Sequence, residues 1–281
     1  MTIQDHNFPV EIQDIQTVTN LDIPNNLGRA VVRTDTNDVL AIHGKRYELI
    51  SHDEVVSSVM DAVKMSNISS GDYDCNIEVY NNGARLRGEI LFNDLVAEPV
   101  VDDHIKFRIC FYNSYDGAWS VQLKADALRL WCLNGCTTAD HVMHTYQRHT
   151  TSLDVEGFIA QIQNGVETFW NNQQMWSDFS DIKVTDHQAI DLFERTLCYQ
   201  RYTYKPLDDD TVNKKQKNIL FGHWLDYQDK LGSNLWALYN ACTHWATHTN
   251  EYANPANKRR QREDKVAKML QTKQWEYLAN N

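Results

Sequence analysis

The spacing of apolar and polar residues changes character partway along this chain. From residue 29 to about residue 131, apolar side chains tend to alternate with polar ones, the period of half-buried strands. Ala30 to Arg33 and Val39 to Ile42 are β-rich runs separated by an Asn-Asp turn, which predicts a hairpin within residues 29–50. Ser51 and Glu54 have the spacing of a capping box. Val55, Val56, Val59, Met60 and Val63 then recur at helical spacing, which predicts a helix over 51–66. Residues 75–92 contain Asn82-Gly83, a pair suited to a tight hairpin turn because glycine takes positive φ without a Cβ clash. On the return strand Leu86 and Ile90 share one face, and Arg85 and Arg87 the other. Ile105, Phe107, Ile109 and Phe111 then share a face opposite Lys106 and Arg108. After a Tyr115-Asp116-Gly117 turn, Val121 and Leu123 alternate with Gln122 and Lys124. Together these segments predict an antiparallel meander of three or four strands.

Beyond residue 150 the period becomes helical. Thr151 and Asp154 can cap a segment whose Phe158, Ile159, Ile162, Val166 and Phe169 form one apolar stripe. Further helices are predicted over 186–202, 233–249 and 258–278, with 205–218 as an exposed loop between the first two. The expected fold class is therefore α+β: an antiparallel β meander packed with helices, followed by a mainly helical C-terminal half. The expected organisation is a polar N-terminal arm over 1–28, an α+β sheet domain over 29–150, and a helical half over 151–281 packed on the sheet domain.

Charge narrows the function classes. The chain has 281 residues and a net charge of −11, which argues against a protein coated in nucleic acid. The charge is uneven: residues 1–130 carry a balance of −9, and residues 131–281 a balance of −2. Two basic clusters, at 195–217 and 255–273, leave room for a polyanion held in one local groove. No apolar run approaches the roughly 18 to 20 residues of a membrane span, and the N-terminus has no basic start or apolar core of a secretory signal. The six cysteines are scattered, mostly in apolar segments, so a reducing cytoplasm with buried thiols and no membrane partner is expected.

Few residue patterns point to chemistry. Cys132, Cys136, His141 and His144 have the residue types of a zinc site, but the loop between the pairs is much shorter than a finger needs, and Cys132 alternates with Leu128 and Leu130 on an apolar side. His244 and His248 share a helix face, yet no third ligand is evident and Trp245 stands where a zinc protease carries Glu. Glu263-Asp264-Lys265 imitates a nuclease triplet but lacks a strand context. Glycine-rich phosphate loops and a G-x-S-x-G elbow are absent. No cofactor, no metal and no catalytic residue is expected. The cations Arg85, Arg87, Lys106, Arg108 and Lys124 on one side of the meander allow two readings: a solvated outer face, or a basic floor for a phosphate backbone. Residues 195–205 interleave Arg195, Arg201 and Lys205 with Tyr199, Tyr202 and Tyr204. That is the recipe for single-stranded nucleic acid, and equally the look of a helix end whose tyrosines pack while its charges meet water.

Three separated motifs carry a resemblance. Asn113, Ser114, Asp116 and Gly117 precede an alternating strand that ends in Arg129, Cys132 and Asn134. Val39, Leu40, Gly44 and Tyr47 come before them, and Asn234, Leu235, Trp236, Tyr239, Asn240, Ala241, Thr243 and His248 after. Over roughly residues 29–250 the chain resembles the phage/plasmid-like protein family, a domain of unknown function. It departs from the pattern at Gly135-Cys136, where a residue such as Thr is expected. The resemblance implies a place in phage or plasmid DNA metabolism inside a bacterial host cell. The order of parts is also similar to that of the single-strand annealing superfamily, and this fold-level likeness implies single-stranded DNA binding and annealing by a homo-oligomer. Under that expectation Arg85, Arg87, Lys106, Arg108 and Lys124 contact phosphates, with Arg129, Tyr199, Arg201, Tyr202 and Lys205 bordering the groove. The other expectation, drawn from the acidic first half, is a protein-binding factor that modulates a host DNA-processing or restriction enzyme.

Overall fold

The computed structural model describes residues 5–15, 28–129, 134–136, 144–147, 153–199, 212–248 and 255–280. The architecture is α+β, with antiparallel sheets and a mainly helical C-terminal half. The chain divides into two compact units. The first comprises residues 1–95, 108–125 and 143–166; the second comprises 96–107, 126–142 and 167–281.

The first unit holds a three-stranded sheet of order β1-β2-β3: β1 (Val10–Asp14), β2 (Arg29–Arg33) and β3 (Asp38–His43). The β2–β3 hairpin is the one the alternation predicts. The segment before residue 28 is not irregular throughout, because β1 lies antiparallel to β2 with Val10 opposite Arg33. Phe8, Val31 and Tyr115 form a buried cluster, against which Val10, Leu40, Tyr47, Leu49 and Val79 pack.

The larger sheet runs β4 (Tyr73–Tyr80), β5 (Arg85–Val100), β6 (Asp103–Ser114), β7 (Val121–Arg129) and β8 (Asn134–Cys136), and β9 (His144–Gln147) also pairs with β7. Asn81, Asn82 and Gly83 all have positive φ, so the β4–β5 turn needs residues that tolerate the left-handed region. Leu86, Ile90, Ile109, Phe111, Val121 and Leu123, the residues alternation assigns to the apolar face, are fully buried. Helix α1 (His52–Ser66) begins at Ser51, whose hydroxyl accepts from the Glu54 amide at 3.0 Å, and it buries Val55, Val56, Val59, Ala62 and Val63. Helix α2 (Val155–Asp181) starts with the Asp154 carboxylate accepting from the Gly157 amide at 2.9 Å. Its Gln161 side chain donates to the Leu123 carbonyl at 2.6 Å, which ties the helix start to β7.

The second unit is built around α5 (Leu235–Thr247), in which every residue but His244 is buried. The Trp236 indole donates to the buried Asp103 carboxylate at 2.8 Å. Phe107, Phe169 and Trp176 meet edge to face, and Phe179 does the same with Trp275. Helix α3 (Asp186–Leu192) opens on a full capping box of Thr185 and Gln188 and continues as a π-helical turn, Phe193–Leu197. Helix α4 (Lys214–Leu231) is not foreseen by the apolar pattern: it buries only Leu220, Trp224 and Tyr227, so its stripe is thin. The stretch expected as one helix over 258–278 is two, α6 (Pro255–Met269) and α7 (Lys273–Ala279). The Thr272 hydroxyl accepts from the Trp275 amide at 3.3 Å and so starts α7 afresh.

Gly88 on β5 has no room for a side chain, since a Cβ there would stand 1.9 Å from the Phe111 ring. Gly88→Ala is therefore expected to destabilise the protein by about 3 kcal/mol, the upper part of the range for overpacking. A lowered urea midpoint checks this, and Gly88→Ala with Phe111→Leu should recover part of the loss.

Candidate functional site

Alternation separates Arg85, Arg87 and Glu89 from the apolar side of β5, and Arg108, Cys110 and Tyr112 from the apolar side of β6. The structure does not leave that second face open. From Phe107 to Ser114 every residue of β6 is buried, so both faces of the strand are covered. Arg87 is 3% exposed and Arg108 is 0%.

Glu89 is the centre of the arrangement. Its Oε2 accepts from Arg87 Nη2 at 2.6 Å and from Arg108 Nη1 at 3.2 Å. Arg87 Nη1 also reaches Glu78 at 3.4 Å, and the Cys110 sulfur lies beside both Glu89 and Arg87. Two buried guanidiniums are thus compensated by two carboxylates that keep partial access to water, Glu78 more than Glu89. Arg85 is paired separately: its Nε donates to Asp116 at 2.7 Å and its guanidinium lies 5.7 Å from the Trp119 ring. Lys124 is buried with its ammonium 5.8 Å from the Tyr112 ring. Lys106 is half-buried on β6 and belongs to the second unit. The structure therefore brings Arg87 and Arg108 together on carboxylates and leaves neither guanidinium open as a phosphate floor.

The other residues singled out by the sequence fall elsewhere. Arg129 ends β7, and its side chain lies outside the described residues, as do Arg201, Tyr202 and Lys205. Tyr199 is half-buried and bridges to Val212. Of the zinc-like quartet, Cys132 and His141 lie outside the described residues, while Cys136 and His144 stand on β8 and β9. Among the described residues no group of three His, Cys, Asp or Glu is placed to hold a metal ion. Glu263 and Asp264 pair along α6 with Arg259 at 3.0 Å and Arg260 at 4.0 Å, which accounts for the nuclease-like triplet. Cys75, Cys110, Cys198 and Cys242 are buried thiols outside any disulfide, and burial pushes Cys198 up to about 12.

His244 and His248 do share a face, and α4 adds a third imidazole that spacing alone does not reveal. The His223 and His244 ring centres are 4.3 Å apart, and those of His244 and His248 are 4.1 Å apart. Tyr227 Oη hydrogen-bonds His244 Nδ1 at 3.0 Å. Burial, reinforced by charge on the neighbouring imidazoles, pushes His244 down to about 4, and burial lowers His223 as well.

The motif residues behind the family resemblance work as scaffold. The Asn113 amide donates to the Ile50 carbonyl at 3.1 Å and meets His52 Nδ1 at 3.0 Å, while His52 Nε2 meets the Gly83 carbonyl at 2.9 Å. These partners assign the His52 tautomer: Nδ1 accepts and Nε2–H donates. Ser114 exchanges hydrogen bonds with the Trp119 backbone, Asp116 holds Arg85, and Gly117 takes φ of 71°. In α5, Asn234 caps the Ala237 amide at 2.8 Å and Tyr239 stacks on Trp236.

Two outcomes follow. Glu89→Gln leaves two buried guanidiniums short of a counter-charge and should cost about 3 kcal/mol in a urea titration, whereas Glu78→Gln, at a more exposed carboxylate, should cost much less. Because His244 and His223 are held below their ordinary 6.5, the unfolded chain takes up protons there that the folded chain refuses. Their stabilising contribution is full above pH 6.5 and declines as pH falls from 6.5 toward 4. His244→Gln should flatten the slope of denaturation midpoint against pH in that window, and an unchanged slope would refute the assignment.

No curated protein and no solved structure matches the chain. One family model does, over residues 39–272, which takes in the Glu89 network, the Asn113–Gly117 turn and helix α5. The chain belongs to the family described as a domain of unknown function (DUF932).

Proposed function

We propose that the protein is an acidic binding factor that docks on the basic surface of another protein, of the kind a host DNA-processing or restriction enzyme offers to nucleic acid, in a phage or plasmid setting. The observation that carries this reading is the inward turn of the cations. In the first unit Arg87, Arg108 and Lys124 are buried and Arg85 is paired with Asp116, whereas Glu54, Asp61, Asp72, Asp74 and Asp94 are exposed. The surface is therefore more acidic than the composition. Asp72 and Asp74 stand close together: the Asn93 amide donates to Asp72 at 3.0 Å and to Asp74 at 3.4 Å. Burial is the largest single influence on Asp94 and raises it, but hydrogen bonds from the Ser70 amide and the Ser69 and Ser70 hydroxyls together outweigh it and hold this carboxyl below its ordinary range. Exposed carboxylates held in place by hydrogen bonds suit a cationic partner and repel a phosphate backbone.

The test has two arms. The purified protein is titrated with a labelled single-stranded oligonucleotide at low salt, and separately with a panel of nucleases whose basic clefts are free of DNA. A nuclease from the panel should bind, its DNA should compete, and Asp72→Lys with Asp74→Lys should weaken the complex roughly tenfold. Retention of the oligonucleotide with a steep salt dependence, and no nuclease binding, would overturn the proposal in favour of single-stranded DNA.

A further inference from the structure

The second unit contains a cleft that the acidic-surface reading does not use. Helix α3 with its π-helical turn and helix α7 flank an open cleft of about 490 Å³, within the range of roughly 300–1,000 Å³ typical of small-ligand pockets. Both helices present two neighbouring positions per turn to it: His187, Gln188, Asp191, Leu192 and Arg195 from one, and Lys273, Gln274, Tyr277 and Leu278 from the other. The floor is apolar, with Leu192 and Leu278 buried, and the rim is cationic and aromatic, with His187, Arg195, Lys273 and Tyr277 exposed.

The donors at this cleft are largely unspent. Arg195 gives only its Nε, at 2.6 Å to Asp191, so both Nη groups remain for a ligand. Gln188 uses its carbonyl oxygen at the Thr185 cap, at 2.9 Å, and keeps its amide hydrogens. His187, Lys273 and Gln274 make no hydrogen bond or ion pair among the described residues. The one carboxylate present, Asp191, is already matched by Arg195. A chain of net charge −11 therefore carries a concave, locally positive, donor-rich site with a greasy floor. Arg195 sits in the π-helical turn, a departure from regular helix that recurs at functional sites.

We propose that this cleft binds a single nucleotide-sized organic phosphate. The phosphate oxygens take Arg195 Nη and Lys273 Nζ, as guanidinium and ammonium groups favour. The planar base covers the Tyr277 ring, an exposed aromatic at the lip, and the Gln188 and Gln274 amides meet its polar edge. A free nucleotide fits the dimensions; a strand's 5′ phosphate has the same chemistry and is separated from it by the experiment.

The intact protein is titrated calorimetrically at low salt with AMP, adenosine, inorganic phosphate and a 5′-phosphorylated oligonucleotide. AMP should bind, with adenosine and inorganic phosphate each weaker by about tenfold or more, since each keeps only half of the contacts. Arg195→Glu and Lys273→Glu, both at exposed side chains, should each weaken AMP at least about tenfold; Lys273→Glu should leave the melting temperature unchanged, and Arg195→Glu should lower it only slightly through the lost Asp191 pair. Tyr277→Ala should bring AMP down toward inorganic phosphate. An absence of AMP binding at millimolar concentration, undiminished binding by Arg195→Glu and by Lys273→Glu, or tighter binding of the oligonucleotide than of AMP would overturn the proposal.

Discussion

A single carboxylate facing two buried guanidiniums governs how the first unit is put together. Arg108 has no exposure to water, and Arg87 almost none. Removing an ion of this size from water costs several kcal/mol unless an opposite charge follows it inward. Glu89 stands on the same side of β5 as Arg87 and reaches across to Arg108 on β6. Adjacent strands are thereby held in a register that keeps these three groups in contact, and the side of the sheet that looks water-facing in sequence becomes interior.

Strand and helix positions were legible where the chain's own chemistry is strong. The Asn82-Gly83 turn, the Ser51 cap and the six-residue apolar set of β5, β6 and β7 all stand where the pattern put them. Alternation tells which residues share a side, but not what covers that side, so the burial of Arg87 and Arg108 could not be read from it. Helix α4 escaped notice because three buried residues in eighteen make too thin a stripe. The split between α6 and α7 escaped because the polar pattern continues through it; the only written signal is Thr272 three residues ahead of buried Trp275. The cleft beside Arg195 needs two helices distant in sequence, and no local pattern announces such a meeting.

The residues most suggestive of a family signature turn out to hold the frame. Asn113, Ser114 and Asp116 spend their side chains on backbone groups and on Arg85, and Asn234 spends its own on a helix start. Asparagine and aspartate recur in such places because their short polar arms replace backbone partners that turns and helix ends lack. The positions with donors to spare, such as Lys273 and Gln274, belong to no motif.

The clamp on His52 has an implication for synthesis at the ribosome. Its imidazole is seated by Gly83 and Asn113, and its amide by the Tyr115 hydroxyl, 63 residues downstream. Helix α1 is synthesised before any of those partners. The first turn of this helix therefore cannot be fully seated until the growing chain has passed Tyr115.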